Sequence, residues 1–401
     1  MASAKSITVR SATSADADAI TGLQETGFGM RYGSDELPYR WELFPVERSL
    51  VAVDGDRVVG HTVDRTMTVT VPGARQVQAC GVSGVAVAPT HRRRGILREL
   101  YTAQHERTEA DGLPLTIFTA SEATIYGRFG YDPAILSTTI SIDRRRAEFR
   151  STTPDPGGVE LATLAEAAPH IRAIYERWQP TVPGAQVRPD AKWDLFFADV
   201  ERHRDGATTL FALVHPDGYA LYRRRWRDGH STASVWEYRA LTPDAHAALW
   251  RVLLGLDLVE TIDVEIADDD PLPYLLTDSR AARVLDRGDS LWARLMDVPT
   301  ALTARGYRHD LDTVLAVHDP FRSAGGTFAL RVRDGVAECA PTTRTAALGL
   351  DINVLGALYF GAHRARGLAA AHRIRVDDAA ALRDLDAAFT AERAPELGWF
   401  F

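Results

Sequence analysis

Ten residues, STTPDPGGVE (Ser151–Glu160), limit what the chain can fold into more than any other stretch. They are polar and carry two prolines and paired glycines, so neither a helix nor a strand continues through them. They read as a linker, and similar progressions of strand and helix signals lie on either side. A chain of 401 residues exceeds one comfortable core, and a rate of one domain per ~150 residues suggests two or three. Before the linker, ITVR reads as a strand and SADADAITGLQETGF as a helix with Ser14 as N-cap. SLVAVDGDRVVGHTVDRTMTVTVPG reads as a hairpin running into a further strand. SGVAVAP, the helix ending near Gly112, the strand LPLTIFTAS and a short helix in EATIYGRFGY complete a β-α-β-β-β-α-β-α order. That order predicts an α+β layer fold around a mixed sheet. After the linker come the helix ATLAEAAPHIRAIYERW, a hairpin around Pro216-Asp217-Gly218, the strand SVWEYRAL, a helix from Pro243 and the strand VETIDVEIA. An internal duplication is expected. The last third changes to short β-like runs followed by two helical stretches, with a boundary near Asp289. The expected units are 1–145, 146–289 and 290–401.

A formal net charge of −8 argues against a nucleic-acid partner and is compatible with a cationic substrate. Cys80 and Cys339 are too few for a disulfide framework or a metal cluster, which predicts a reducing compartment and no metal. MASAKSITVRSATSADADAI lacks the apolar core of a signal peptide, and no run reaches the ~18 apolar residues of a membrane span. A cytoplasmic protein with no membrane partner is expected. Lysine is nearly absent: Lys5 and Lys192 stand among arginines.

SGVAVAPTHRRRGIL carries the most chemistry. A strand runs into an arginine-dense turn, and Gly95 opens a helix. The first turn of a helix has unpaired N–H groups and the positive end of the dipole, which suits a phosphate or pyrophosphate. Arg92, Arg93 and Arg94 add charge and bidentate donors. The plainer alternative is a solvated arginine run on a surface helix. The stretch is neither a Walker loop nor a G-x-G-x-x-G dinucleotide loop.

VAVAPTHRRRGIL resembles the acyl-CoA pyrophosphate loop of the GNAT N-acetyltransferases, whose pattern is Gln/Arg-x-x-Gly-x-Gly/Ala. Arg92 and Gly95 fit the first and fourth positions, while Leu97 departs from the last. THRRRGIL, ASEATIYGRFGY, AIYERW, HPDGYALYR, DPLPYLLTD, VPTALTARGY and GAHRARGLAAAHR are together similar to the Eis-like (enhanced intracellular survival) N-acetyltransferases. The resemblance implies tandem GNAT domains, the second degenerate, followed by a sterol-carrier-protein-like domain. It also implies a homohexamer that uses acetyl-CoA to acetylate several amines of one aminoglycoside. Carried onto this chain, it pairs the backbone of Val85, Ala86 and Val87 with the pantetheine arm. It wraps Arg93, Arg94, Gly95, Ile96, Leu97 and Arg98 around the pyrophosphate and sets Ser121 and Glu122 beside the cofactor. In the second unit the matching helix begins TPDAHAALW, without glycine or arginine, so no CoA is expected there.

Acetyl transfer to an amine has two proton problems: the ammonium must lose one, and the thiolate leaves more easily if it gains one. Tyr126 falls where the superfamily places the acid, and a phenol can donate to sulfur. For the base, His61, His91 and His105 lie nearby in sequence without a specific reason to face the amine. The resemblance implies the terminal carboxylate of Phe401 instead, with the aromatics of PELGWFF anchoring it in an apolar groove. Desolvation beside those rings would raise the basicity of an otherwise weak base. Glu25, Asp35, Glu36 and Glu42, set among Phe28, Tyr32, Tyr39 and Trp41, are candidates for holding a cationic amine. Thr119 and Gly84 depart from the family's histidine and phenylalanine, which leaves the substrate spectrum open. Two other readings remain: transfer of a longer acyl chain, and a non-catalytic lipid carrier or scaffold built on the last third.

Overall fold

The computed structural model describes residues 7–401. The first unit runs β1 (Thr8–Ser11), α1 (Ala17–Phe28), α2 (Leu37–Leu43), β2 (Ser49–Asp54), β3 (Arg57–Val71), β4 (Arg75–Val87), α3 (Ile96–Ala110), β5 (Leu115–Phe118) and β6 (Asp132–Asp143). The second contains β7 (Glu160–Ala162), α4 (Leu164–Trp178), α5 (Asp190–Ala198), β8 (Phe211–His215), β9 (Gly218–Arg227), β10 (His230–Ala240), α6 (Pro243–Leu254), β11 (Thr261–Ile266), α7 (Leu272–Leu275) and β12 (Ala282–Leu295). The last third holds α8 (Val298–Ala304), β13 (Leu311–His318), β14 (Gly326–Arg333), β15 (Val336–Pro341), β16 (Leu348–Asp351), α9 (Ile352–Tyr359), α10 (Ala365–Ala370), β17 (Ile374–Val376) and α11 (Ala379–Phe389).

Several elements differ from the sequence reading, each for a local reason. The hairpin forms as β2 and β3, but its second arm and the further strand are one 15-residue strand, β3, because the pattern continues unbroken into buried Val63, Met67, Val69 and Val71. SGVAVAP is the end of the longer β4. Thr13, not Ser14, caps the first helical turn: its N–H donates to Asp16 Oδ2 at 2.8 Å. EATIYGRFGY is not a helix but a set of turns ending in a single 3-10 turn, Gly127–Phe129, where two glycines deny the α-helix its propensity. The apolar stripe of α3 fitted only partly because its buried face includes Gln104, which donates to the buried Asp64 carboxylate at 2.7 Å.

The two units share one twelve-stranded sheet, ordered β1-β2-β3-β4-β5-β12-β6-β11-β10-β9-β8-β7. The exchange in the middle decides the architecture. β12, from the end of the second unit, pairs antiparallel with both β5 and β6. β6, from the end of the first, pairs with β11. β12 also runs through Asp289, so strand pairing continues across the place where the sequence changes character. The last third forms a five-stranded sheet, β15-β14-β13-β16-β17. One apolar cluster joins it to the first unit, with Ile117, Leu295, Leu302, Leu315, Leu355 and Trp399 among its members.

An isolated fragment of residues 1–145 therefore lacks the strand that covers β5. Thermal unfolding followed by circular dichroism should show no cooperative transition for it, and an intact-like melt would show that β12 is dispensable for the first unit.

Candidate active site

β4 and β5 run parallel but pair through just two register positions, Cys80↔Thr116 and Gly81↔Ile117. Beyond Gly81 they part and leave a wedge. Along it Val87 and Ala86 stay paired on one side with Gly60 and His61 of β3, while the side that faced β5 is open. The β3–β4 register shifts between His61 and Val63, so Gly84 sits on a bulge. His61 holds that bulge, its Nδ1 donating to the Gly84 carbonyl at 2.7 Å and its Nε2 accepting from Ser49 Oγ at 3.1 Å. Burial pushes the imidazole down to about 4, against the upward pull of the Gly84 carbonyl. His61 is a neutral strut.

At the mouth of the wedge, Arg92, Arg93, Arg94, Gly95 and Arg98 are exposed, as are Ser121 and Glu122 across from them, while Ile96 is buried and Leu97 half-buried. Gly95 takes a left-handed φ of 83°, and among the described residues no side chain caps the first turn of α3. An open strand edge, uncapped amides and exposed guanidinium groups fit a phosphopantetheine carrier. The corresponding helix of the second unit does not: Thr242 caps α6 by accepting from Ala245 N at 3.1 Å.

Tyr126 is buried at the floor, its ring 4.4 Å from that of Phe118 and 6.1 Å from that of Trp292 on β12. Burial, and then the charge of Glu122, push its phenol up to about 12. It stays protonated and can donate. The neighbouring histidines are engaged elsewhere. His105 is buried against the Tyr131 hydroxyl at 2.7 Å, and His91 reaches Asp54 at 3.2 Å.

The chain's last residues travel along the second unit to this floor. Glu396 N donates to the Pro183 carbonyl at 2.9 Å. Gln186 Oε1 accepts from Gly398 N at 3.1 Å and from Trp399 N at 3.2 Å, and Arg188 Nη2 donates to the Gly398 carbonyl at 3.1 Å. Arg188 itself is buried, paired with Glu237 at 2.6 Å and stacked over Tyr175 at 4.1 Å. Lys192 Nζ donates to the Phe400 carbonyl at 3.0 Å, and Thr119 Oγ1, next to Phe118, donates to a Phe401 carboxyl oxygen at 2.7 Å. The anchor expected of three aromatics is mainly Trp399, which is buried with its ring 5.4 Å from that of Phe401; Phe400 is 69% exposed. Gln186, Arg188, Lys192 and Thr119 carry the placement, and sequence reasoning assigned none of them this task. Lys192, a lone lysine among arginines, was the one visible signal.

The acids expected to hold the amine are largely engaged. Asp35 pairs with Arg202, and Glu36 with Arg202 at 3.2 Å and His203 at 2.8 Å. Glu25 accepts from Tyr32 N at 2.9 Å, and Arg40 lies 4.0 Å over the Tyr32 ring. Two of the four acids thus serve the packing of α2 on the second unit. Glu42 is exposed.

Comparison with known proteins agrees with this geometry. Residues 8–134 and 184–295 match acetyltransferase (GNAT) domain families, and residues 298–398 match the sterol carrier protein domain. The chain is 46% identical over 361 residues to the N-acetyltransferase Eis of Mycobacterium tuberculosis, covering 87% of this chain and 88% of that one. It is 36% identical over 389 residues to an uncharacterized N-acetyltransferase of Streptomyces coelicolor, covering 92% and 93%. The crystal structure of Eis1 from Mycobacterium abscessus superposes with a TM-score of 0.87 at 31% identity, covering 99% of this chain and all of that one.

Two outcomes follow from the packing. A Cβ on Gly398 would lie 2.5 Å from the Tyr175 hydroxyl and 2.7 Å from Gln186 N, so Gly398→Ala should lift the tail. Acetyl transfer should fall ~10-fold or more with CoA affinity kept, measured by thiol release and by calorimetry. His61 has a folded pKa near 4 against 6.5 unfolded, so its contribution is complete above pH 6.5 and is lost as the pH falls toward 4. His61→Gln should flatten that limb of a stability-against-pH curve.

Proposed function

Because the chain belongs to the Eis family of GNAT N-acetyltransferases, and is an N-acetyltransferase, we propose that it acetylates primary amines of polycationic substrates such as aminoglycosides by direct transfer. GNAT acetyltransferases use acetyl-CoA. In this reading Val85, Ala86 and Val87 take the pantetheine amides on the open edge of β4. Arg93, Arg94, Gly95, Ile96, Leu97 and Arg98 surround the pyrophosphate, and Ser121 and Glu122 flank the arm. The amine is held beside the Phe401 carboxylate, which attracts the ammonium and accepts its proton, directly or through water. The freed lone pair attacks the thioester carbonyl, the C–N bond forms as the C–S bond breaks, and Tyr126 protonates the departing thiolate; the second proton, shed by the acylated nitrogen, returns to the Tyr126 phenolate through solvent. The observation that carries the proposal is the Thr119–Phe401 hydrogen bond beside the Phe118–Tyr126 ring pair.

The alternative of a lipid carrier leaves the uncapped α3 turn and the buried Tyr126 without a purpose. A cytoplasmic homohexamer completes the reading. Exposed Trp226, Trp236 and Tyr274 on the second unit support association, and among the described residues no helix is long and apolar enough to cross a membrane.

Thiol release from acetyl-CoA with an aminoglycoside acceptor tests the proposal. Tyr126→Phe should lose ~10²-fold or more in kcat, and so should a chain extended by glycines after Phe401, with CoA binding intact in both. Full activity in both variants would reject the assignment. With the phenol titrating near 12, kcat should show no alkaline fall up to about pH 10.

A further inference from the structure

A loop of the last third grips the proposed acid from behind. Asp319 follows β13, and its carboxylate, almost wholly buried, organises the residues after it. Its oxygens accept from Phe321 N at 3.2 Å, Arg322 N at 3.1 Å and Ala324 N at 3.1 Å. The same carboxylate pairs with Arg294 of β12, at 2.6 Å and 3.2 Å to the two terminal nitrogens. Arg294 is completely buried, and its Nη1 also donates to the Phe129 carbonyl at 3.0 Å.

Phe129 closes the turn that Tyr126 opens: Phe129 N donates to the Tyr126 carbonyl at 3.0 Å. The next residue, Gly130, has a φ of 84°, and a Cβ there would collide with the Arg294 guanidinium. The arginine therefore lies directly against the backbone of the Tyr126 turn, and only glycine permits the approach. The loop also reaches the other half of the site. The Phe321 ring packs 5.0 Å from that of Phe129 and 5.1 Å from the Arg98 guanidinium. Arg322 pairs with Glu106 at 3.3 Å and Glu109 at 2.7 Å, both on α3.

Resting on the reading of Tyr126 as the acid, we infer that Arg294 and Asp319 are positioning residues for acetyl transfer. Through them the last third fixes the Tyr126 turn relative to α3, the helix that starts at the cofactor loop. A buried ion pair is weak evidence for stability, because an apolar pair of similar volume often serves as well. Its use here is geometric. The guanidinium joins a carboxylate of one domain to a carbonyl of another with directional hydrogen bonds, and a displacement of about 1 Å in a reacting group costs ~10²-fold in rate.

The test is a double-mutant cycle on the full chain. Arg294→Met with Asp319→Leu removes the pair without leaving a buried charge, and Phe321→Ala trims the loop without touching the pair. The first should lower kcat ~30-fold with the KM for acetyl-CoA little changed, and the second ~3-fold, whatever thermal midpoint is lost with the amide partners of Asp319. In a Tyr126→Phe background both losses should vanish, because the loop acts through that phenol. Losses that multiply in the Tyr126→Phe background, or variants as fast as the parent, would overturn the inference and leave the acid assignment standing. A fully active Tyr126→Phe chain would overturn the acid assignment, and the inference with it. If the double substitution does not fold, Arg294→Lys, which keeps the charge but not the two-pronged bond to Asp319, takes its place with the same deciding outcomes.

Discussion

The structure depends on β12 lying between β5 and β6. Without it, the short β5 would be an open edge, and the wedge between β4 and β5 would have no rigid wall opposite β4. The strand brings Trp292 to the Tyr126 ring and Arg294 to the back of the same turn. Since β12 leads directly into α8, it also fastens the last third to the first unit. One strand thus closes a sheet, floors a cleft and sets the position of the domain that carries the chain's end.

The two related units divide their work by what they do with polar groups. In the first, the guanidinium groups at the start of α3 are exposed and, among the described residues, no side chain caps its first turn. In the second, the corresponding helix is capped by Thr242, and the polar side chains of Gln186, Arg188 and Lys192 go to the tail. Gln186 takes two of its amides, Arg188 and Lys192 two of its carbonyls. The cost of burying Arg188 is offset by Glu237 and three aromatic rings, so the tail meets a fixed surface. Burial and the nearby Arg188 push the Lys192 ammonium down to about 8, leaving it mainly charged at neutral pH. The second unit is a bracket for the chain's last residues.

What was legible in the sequence was local. The strand, the arginine turn and Gly95 form a contiguous pattern with a direct physical meaning, and Tyr126 stands at a fixed distance after it. The α+β character and the absence of a phosphate loop after SVWEYRAL could be read in the same way. The exchange of β6 and β12 could not, because hydrophobic alternation gives a strand no address within a sheet. Nor could the partners of the tail, which lie more than two hundred residues away and include Gln186 and Thr119, ordinary polar residues out of context. The acids of the α1–α2 segment misled for a related reason. Arg202 and His203, which pair with Asp35 and Glu36, belong to another unit.

In the proposed mechanism a backbone carboxylate, carried across two domains, accepts the proton of the attacking amine. Replacing that carboxylate with a carboxamide of the same shape, by ligating a synthetic C-terminal peptide ending in Phe401-amide, removes the base and keeps the docking. The tail should dock as before and CoA should bind with unchanged affinity, while kcat/KM for the amine falls ~10²-fold or more. An amide-ended chain that acetylates as fast as the native one would rule out the carboxylate as base and reduce the tail to packing.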